Sequence, residues 1–332
     1  MVRNSVRSAK SPLRMASLPA ATPSVELVQS VPTDVYRVPS PAPPSAPQRH
    51  VVLVPGNPGQ PGFYARAAAE LSVALCASVC VVGLAGHREA PLAGLAATAR
   101  FTLPEQVAHV SAFLSAESEA RMRGPSTQRE LVVVGHSIGA YIGHEACATA
   151  KLATGTKLSF CGLNPYLENN ATPENRLRVR GATSWWAPLL TWVLALFAGL
   201  LEALGLKRLL LRNDLAKMED HCAKVALGLP AFSTLLNILY LFRSEAAELA
   251  RPFDYARQAQ PPFEGRAALM YTTGDYWAPD ADAPKAAAAG WSQAIVVPGL
   301  PHAWSLAQAS RDRVVAAVKE LVEGVSPWVK YP

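Results

Sequence analysis

The chain has 332 residues, which suits one large domain, or one domain with an insertion, and excludes a small disulfide scaffold. Hydrophobic residues make up 50% of the chain and charged residues 17%, a balance that excludes a disordered polyampholyte. The net charge of +6 would favour an acidic partner, but residues 1–50 alone contain six Lys or Arg side chains against two acids. The basicity therefore belongs mainly to the N-terminal segment, and nucleic acid is not an expected partner.

The N-terminal segment, residues 1–48, is predicted to be disordered, basic and proline-rich. It holds nine of the 28 prolines, and such a composition buries little apolar area. Within it, residues 1–24 are predicted to be disordered and residues 39–48 to form a stiff extended linker. Between these two parts, Val35–Val38 is compatible with a short edge strand.

The start of the chain leaves two interpretations open. It is rich in Arg and Ser and has no acid before Glu26, as in organellar transit peptides. The alternative is a tail without function that precedes a true start at Met15. In either case, the region lacks an apolar run of the length that a secretory signal needs.

The five cysteines predict neither disulfides nor a metal site. Their number is odd, their neighbours are apolar, none belongs to a CxxC pair, and no His lies at zinc spacing from them. We expect buried, reduced thiols in a reducing compartment, and no metal or organic cofactor. The cysteines are Cys76, Cys80, Cys147, Cys161 and Cys222.

After the linker, short β-rich runs alternate with helical patterns. Most of these runs are apolar throughout, which is typical of strands covered on both faces, and hence of a mostly parallel sheet with helices on each side. Helices are expected at about 63–75, 105–121, 138–151 and 304–323. The runs are Val51–Val54, Val79–Leu84, Leu131–Val134, Lys157–Leu163, Ala267–Thr273 and Ala294–Pro298.

The alternation stops between about residues 165 and 265, where the pattern is helical and unusually apolar. An insertion between two strands of an α/β sheet commonly covers the carboxyl ends of the strands, where such sheets keep their sites. The predicted organisation is therefore an α/β core formed by residues 49–165 and 265–332, with a helical cap at residues 166–264.

The most informative motif is Gly-x-Ser-x-Gly at residues 135–139, which follows the apolar run Leu131–Val134 and precedes a helical pattern. A strand, this motif and a helix form the context of a nucleophile elbow. Glycines at Gly135 and Gly139 relieve crowding around the tight turn, and the helix N-terminus favours a developing anion. The motif therefore predicts that Ser137 is a nucleophile.

A serine nucleophile needs a base and an acid. Asp275 follows one predicted strand downstream and His302 follows the next. The order Ser, Asp, His, with acid and base each after its own strand, is the order of this architecture. His302 would take the proton of Ser137, and Asp275 would fix the tautomer of His302. Asp280 and Asp282 are alternative acids that lie deeper in the following loop.

An oxyanion hole needs backbone N–H donors. One is expected from Ile138, the residue after the nucleophile. The other should come from the loop after the first core strand, where Pro55 and Pro58 have no N–H, so that Asn57 is the natural donor. An ordinary Pro/Gly turn is the alternative for this loop. His136, beside the nucleophile, is expected to point away from the reacting atoms.

These motifs resemble the lipid-droplet-associated hydrolase family of serine α/β-hydrolases over residues 51–304. The resemblance implies an α/β-hydrolase fold, a triad of Ser137, Asp275 and His302, and activity on esters of neutral lipids or sterols at lipid droplets or the endoplasmic reticulum. The basic N-terminal segment is not part of the resemblance, so targeting to another organelle by this segment stays an alternative. The likeness is carried by Val54–Gly59, Phe63-Tyr64, Gly86-His87, Gly135–Tyr141, Gly274–Pro279 and Pro301–Ala303.

The predicted cap contains two uncharged runs, Gly181–Leu201 and Val225–Phe242. The first has 21 residues and, at about 1.5 Å per residue, is long enough to cross a bilayer core as a helix. A single crossing would separate Ser137 from His302, and the charges between the runs make a pair of crossings costly. A membrane- or droplet-facing patch at residues 181–242 is therefore favoured over a span. A cap that packs on its own core without lipid contact is the alternative.

Together, the motifs predict a serine hydrolase, of the lipase or sterol esterase type, that cleaves carboxylic esters of apolar lipids such as sterol esters or acylglycerols. Two alternatives stay open. An acyltransferase would use the same triad and differ only in the exclusion of water. A lipid-droplet-coating protein with weak catalysis would keep the apolar surface without depending on the triad.

Overall fold

A computed structural model describes residues 18–43, 48–89, 99–122, 129–169, 173–258, 263 and 267–324. The predicted targeting segment or tail at residues 1–17 lies outside the described residues, as does part of the predicted linker, residues 44–47.

One eight-stranded sheet forms the centre of the molecule, with the strand order β1-β2-β4-β3-β5-β6-β7-β8. The pairs β1–β2 and β2–β4 are antiparallel, and all other neighbouring strands run parallel. This confirms the predicted mostly parallel sheet. The strands are β1 Thr22–Val28, β2 Val31–Val38, β3 Gln48–Val54, β4 Ser78–Val82, β5 Arg129–His136, β6 Thr156–Leu163, β7 Ala267–Thr272 and β8 Gln293–Val297.

Helices cover both faces of this sheet and fill the insertion between β6 and β7. Around the sheet lie α1 Ala65–Leu75, α2 Leu103–Met122 and α3 Ile138–Thr149. Between β6 and β7 lie α4 Pro173–Thr183, α5 Ala187–Ala203, α6 Lys207–Leu210, α7 Arg212–Leu215, α8 Asp220–Gly228, α9 Ala231–Glu248 and α10 Tyr255–Gln258. The chain then returns to the sheet with α11 Ala283–Ala288 and α12 Gln308–Glu323.

Apolar side chains on both sides of each central strand explain why the sheet lies between two helical layers. In β3, Val52 and Val54 belong to one buried cluster, with residues of α2 and α3, whereas Val51 and Leu53 belong to a second, with residues of α1 and α12. Successive side chains of a strand point to opposite faces, so a strand that is apolar throughout is stable only when both faces are covered.

The N-terminal part of the sheet differs from the prediction of a disordered segment over residues 1–48. Strands β1 and β2 form a hairpin, and β2 continues the sheet by pairing antiparallel with β4. Gln29 and Ser30 connect the two strands with φ angles of 48° and 69°, the backbone of a tight hairpin turn. The high proline content favoured disorder in the prediction. The alternation of polar and apolar residues that is typical of strands is short here, since it is confined to the stretch between Pro23 and Pro39.

Burial, as predicted for the cysteines, is found for four of the five side chains. Cys80, Cys147, Cys161 and Cys222 are buried, Cys76 is exposed, and all five thiols are free.

Helix α9 fastens the insertion to the core through buried polar contacts. The Nδ2 of Asn237 donates to the carbonyl oxygen of Gly86 at 2.8 Å, and the backbone N–H of Leu103 donates to the Oγ of Ser244 at 2.8 Å. Glu245, on the same side of the helix, is 3% exposed. Hydrogen bonds that are partly withdrawn from water favour one position of the insertion on the core.

Burial raises the pKa of Glu245 to about 8, and the hydrogen bond from the side-chain amide of Asn57 offsets only part of this rise. At neutral pH the folded protein therefore keeps a proton on this carboxyl that the unfolded chain, with the ordinary pKa of 4.5, has lost. Because the folded state binds the extra proton between these two pKa values, the contribution of Glu245 to stability falls as pH rises through that window.

We expect Glu245→Gln, which keeps the shape but cannot ionise, to gain stability relative to the wild type as pH rises. The difference in the free energy of unfolding should grow between about pH 5 and about pH 8. Urea unfolding at a series of pH values measures it. Glu248→Gln, an exposed change on the same helix, is the matched control and should show no such trend. A difference for Glu245→Gln that does not vary with pH would contradict the expectation.

Candidate active site

Ser137 occupies the turn between the end of β5 and the start of α3. Its backbone has φ 55° and ψ −127°, a conformation that costs free energy for any residue with a side chain. The neighbouring glycines are required by space: a Cβ on Gly135 would lie 2.4 Å from the carbonyl oxygen of Gly139. A Cβ on Gly139 would lie 2.4 Å from the carbonyl oxygens of Val54 and Pro55. The turn thus forms only with glycine at both positions.

The structure brings the three predicted triad residues into one chain of hydrogen bonds. The Oγ of Ser137 lies 2.8 Å from the Nε2 of His302. The Nδ1 of His302 lies 2.7 Å from the Oδ2 of Asp275. Asp275 follows β7 and His302 follows β8, so both side chains arrive at the edge of the sheet where β5 delivers the serine.

Asp275 is held by more donors than the histidine alone. The Nδ2 of Asn164 donates to its Oδ2 at 2.7 Å, and the backbone N–H of Trp277 donates to its Oδ1 at 2.9 Å. Burial raises the pKa of Asp275, but the hydrogen bond and charge of His302, together with these donors, outweigh burial and lower the pKa below its usual value. The carboxylate is therefore ionised and accepts the Nδ1 proton of His302, which leaves Nε2 as the acceptor that faces Ser137.

The alternative acids occupy other positions. Asp282 pairs with Lys285 at 2.7 Å, and Asp280 lies in the same 3-10 turn, Asp280–Asp282. The carboxylate that contacts His302 is that of Asp275.

The loop after β3 lies directly against the serine. A Cβ on Gly56 would be 2.8 Å from the Cβ of Ser137. The N–H of Gly56 donates to the hydroxyl of Tyr64 at 3.3 Å, and the two flanking prolines, Pro55 and Pro58, have no N–H. Of the residues from Pro55 to Pro58, this leaves Asn57 as the residue whose amide is expected to face a ligand. The pairing of this amide with that of Ile138, at the start of α3, as an oxyanion hole stays a prediction.

The side chain of Asn57 has a structural contact that the sequence did not indicate. Its Nδ2 donates to the carbonyl oxygen of Ile238, in α9, at 3.0 Å and lies 3.5 Å from the Oε1 of Glu245. On the other side, the Nδ1 of His87 donates to the carbonyl oxygen of Pro58 at 2.6 Å. Burial lowers the pKa of His87 to about 4, so it acts as a neutral donor. The loop therefore contacts both α9 of the insertion and His87 of the core.

His136 joins the two loops of the site from behind the serine. Its Nδ1 lies 2.6 Å from the hydroxyl of Tyr64, and its Nε2 lies 2.8 Å from the carbonyl oxygen of His302. Burial, with a smaller effect from the charge of His302, lowers the pKa of His136 to about 3. The neutral ring therefore accepts from Tyr64 and donates to His302, and it does not contact the reacting hydroxyl. This agrees with the expectation that it points away.

The sequence analysis did not assign a role in the site to Asn164 or to Tyr64. Asn164 directly follows β6 and has a φ of 45°, so the rule that found Asp275 and His302, a polar residue just after a parallel strand, also indicates it. Tyr64 lies in the 3-10 turn Pro61–Tyr64, so this rule does not indicate it, and the sequence marked it only as part of the family resemblance. An aromatic residue of this kind is expected in the hydrophobic core, and only the fold shows what its hydroxyl contacts.

Helices α4 to α6 and the turns that connect them present a large apolar surface to solvent. Trp185 is 90% exposed and Leu189 is 68% exposed, whereas most large apolar side chains of the core are buried. We call this surface the apolar patch. It consists of Leu177, Trp185, Trp186, Leu189, Leu190, Val193, Leu194, Leu196, Phe197, Leu200, Leu204, Leu206, Leu209 and Leu210.

The residues of the apolar patch lie between Leu177 and Leu210, whereas the predicted surface extended over residues 181–242. The second uncharged run, Val225–Phe242, belongs mostly to α9, where Leu236 and Leu241 are buried. Within the described part of the chain, no single helix is both long and apolar enough to cross a membrane. Two helix pairs reach that length and composition only together, α4 with α5 bent by 90° and α8 with α9 bent by 95°.

Solved structures of low sequence identity share this fold. A soluble variant of monoglyceride lipase from Saccharomyces cerevisiae has a TM-score of 0.60 at 14% identity, over 96% of this chain and 99% of that chain. A bacterial membrane phospholipase A has a TM-score of 0.60 at 13% identity, over 93% and 87%. The peroxisomal α/β-hydrolase of Saccharomyces cerevisiae has a TM-score of 0.57 at 14% identity, over 91% and 85%. These likenesses confirm the predicted α/β-hydrolase fold.

Sequence comparison gives a more specific result. No curated protein matches the chain significantly. A profile of a protein family, described as lipid-droplet associated hydrolase, matches residues 47–305. This range is well over half of the chain and includes the serine turn, the cap and the loops that carry Asp275 and His302. The chain therefore belongs to the lipid-droplet associated hydrolase family.

Proposed function

We propose that the protein is a serine hydrolase that cleaves carboxylic esters of apolar lipids, such as sterol esters or acylglycerols, with Ser137, His302 and Asp275 as its catalytic triad. The observation that carries the proposal is the continuous hydrogen-bond chain from the Oγ of Ser137 to the carboxylate of Asp275. Its position on a strained strand–helix turn, with amides on both sides, is the arrangement that acyl transfer requires.

In this mechanism, the Nε2 of His302 removes the proton from Ser137 as the Oγ attacks the ester carbonyl. The carbonyl oxygen becomes an oxyanion, which the amides of Ile138 and Asn57 stabilise. Asp275 stabilises the imidazolium of His302, which then protonates the leaving alcohol. A water molecule, activated by the same histidine, releases the acid from the acyl-enzyme. Each step uses side chains and amides of this chain, so the chemistry needs no metal or organic cofactor.

An ester hydrolase and a lipid-coating protein differ in their dependence on Ser137. We expect a fluorophosphonate probe to label the wild type and to leave Ser137→Ala unlabelled, because the probe reacts with an activated serine Oγ. Hydrolysis of acylglycerols or sterol esters should fall by about 10³-fold or more. Gel fluorescence and release of fatty acid measure the two effects.

Ser159→Ala is the matched control for this experiment, since it alters a buried serine of β6 that bonds to Glu130 outside the triad. It should be labelled like the wild type. Equal labelling of wild type and Ser137→Ala would contradict the triad and favour the coating protein. Transfer of the acyl group to an added alcohol in preference to water would identify the acyltransferase alternative, which uses the same residues.

The lipid surface is the second part of the proposal. We infer that the apolar patch inserts into the surface of a lipid droplet or of the endoplasmic reticulum, where apolar esters are dissolved. Exposed apolar surface of this extent, with tryptophans at one end, is typical of proteins that lie in an interface. Arg208 and Arg212, which are exposed, follow α5 and would lie near the headgroups.

Replacing two exposed leucines of α5, Leu196→Gln with Leu200→Gln, should weaken binding to a lipid surface by about tenfold or more, since each side chain loses apolar burial in the lipid. Flotation with triacylglycerol droplets coated with phosphatidylcholine measures the bound fraction. Hydrolysis of a short, water-soluble aryl ester should stay unchanged, because these side chains, 59% and 54% exposed, lie outside the triad.

The matched control is Val25→Gln with Leu27→Gln, which changes two apolar residues on the edge strand β1 that are at least as exposed, 60% and 75%. We expect this pair to float like the wild type. The same loss of binding in both pairs, or in neither, would refute a specific role of the apolar patch.

A further inference from the structure

A cavity of about 660 Å³ opens at the end of the sheet opposite to Ser137. It is lined by residues at or near the beginnings of the parallel strands, among them His50 of β3 and Ser78 of β4, and by Glu117 of α2. Sites in parallel sheets normally occupy the other end. The polar side chains here are therefore not part of the proposed ester-cleaving site.

Three buried side chains of different chemistry meet beside this cavity: His50 and Glu117, which line it, and Cys80, which lies behind them in β4. The Nε2 of His50 lies 3.5 Å from the Sγ of Cys80 and 3.0 Å from the Oε2 of Glu117. The three atoms all lie within 4.8 Å of one another. Imidazole nitrogen, thiolate sulfur and carboxylate oxygen are the three kinds of ligand that zinc takes from proteins.

We infer that His50, Cys80 and Glu117 form a binding site for a divalent metal ion, with Zn²⁺ as the ion that suits this ligand set. Bond lengths of about 2.3 Å to sulfur and about 2.0 to 2.2 Å to nitrogen and oxygen give a tetrahedron whose S–N and N–O edges are about 3.6 and 3.4 Å. The two edges in the protein, 3.5 and 3.0 Å, come close to these values before any adjustment.

The surroundings of the cluster support the assignment, because the outer atoms of two ligands are held in the way that metal ligands usually are. The Nδ1 of His50 lies 2.9 Å from the Oγ of Ser78, which directs Nε2 to the centre of the cluster. The Nη2 of Arg37 donates to Oε1 of Glu117 at 2.5 Å, which leaves Oε2 on the side of His50. Glu26 pairs with the same arginine and balances its charge.

Glu117 offers its Oε2 to the centre of the cluster, because Arg37 holds the other carboxylate oxygen. The thiol of Cys80 would lose its proton when a Zn–S bond forms, and that proton would pass to the solvent. Three protein ligands leave a fourth position, which suits a water molecule.

The proposed metal site connects parts of the chain that are far apart in sequence. Its ligands come from β3, β4 and α2, and the partner of Glu117, Arg37, comes from the N-terminal hairpin. A bound ion would link the hairpin, the sheet and α2, so we expect metal removal to lower the midpoint of thermal unfolding.

The wild-type chain, prepared without a histidine tag, is the first subject of the test. It is freed of metal by dialysis against a chelator, supplied with Zn²⁺ and dialysed again. We expect about one Zn²⁺ per chain by mass spectrometry of the metal, and a thiolate-to-metal charge-transfer absorption when Co²⁺ replaces Zn²⁺. Substoichiometric zinc, or a cobalt spectrum without the thiolate absorption, would overturn the inference.

The Cys80→Ser variant separates this site from other ligands. It should lose the charge-transfer absorption, whereas Cys76→Ser, which alters the exposed thiol, and Cys161→Ser, which alters another buried thiol, should keep it. Circular dichroism shows whether each variant is folded. If Cys80→Ser does not fold, His50→Gln provides the same comparison through loss of bound zinc. Retention of the wild-type cobalt spectrum by a folded Cys80→Ser would overturn the inference.

Discussion

The site depends on how closely the turn at Ser137 approaches the end of β3. No side-chain carbon fits on Gly139, because the carbonyl oxygens of Val54 and Pro55 lie where it would be placed. This contact sets the distance between the serine and the loop that carries Asn57. The same turn holds Ser137 in a costly backbone conformation. The packed strands on either side stabilise that conformation, and in return the hydroxyl is held at a fixed point.

A single chain of hydrogen bonds connects the loop after β3 with the loop that carries His302. The N–H of Gly56 donates to Tyr64, Tyr64 donates to His136, and His136 donates to the carbonyl oxygen of His302. The loop beside the serine and the loop of the base are therefore positioned by the same buried chain of polar groups. Since such groups are costly to bury unpaired, this chain of hydrogen bonds favours one arrangement of both loops.

The insertion has an inner and an outer side of opposite character. On the inner side, α9 reaches the site through Asn57 and carries the buried carboxyl of Glu245. On the outer side, α5 exposes leucines to solvent. Because α5 packs against α9, the surface that we propose to meet lipid is joined to the loop beside the serine by a continuous path of packed helices. The opposite end of the sheet carries its own polar cluster around His50.

The sequence by itself determined the features that local backbone geometry dictates: the parallel sheet, the glycines around Ser137 and the placement of Asp275 and His302 after successive strands. Of the N-terminal hairpin it indicated only Val35–Val38, and as an edge strand, because the proline content outweighed a short alternating pattern. Only the tertiary structure decided which faces of α5 and α9 are exposed, and that His50, Cys80 and Glu117 meet. These contacts join residues from separate elements, and neither periodicity nor spacing along a chain encodes the distance between side chains that long-range packing brings together.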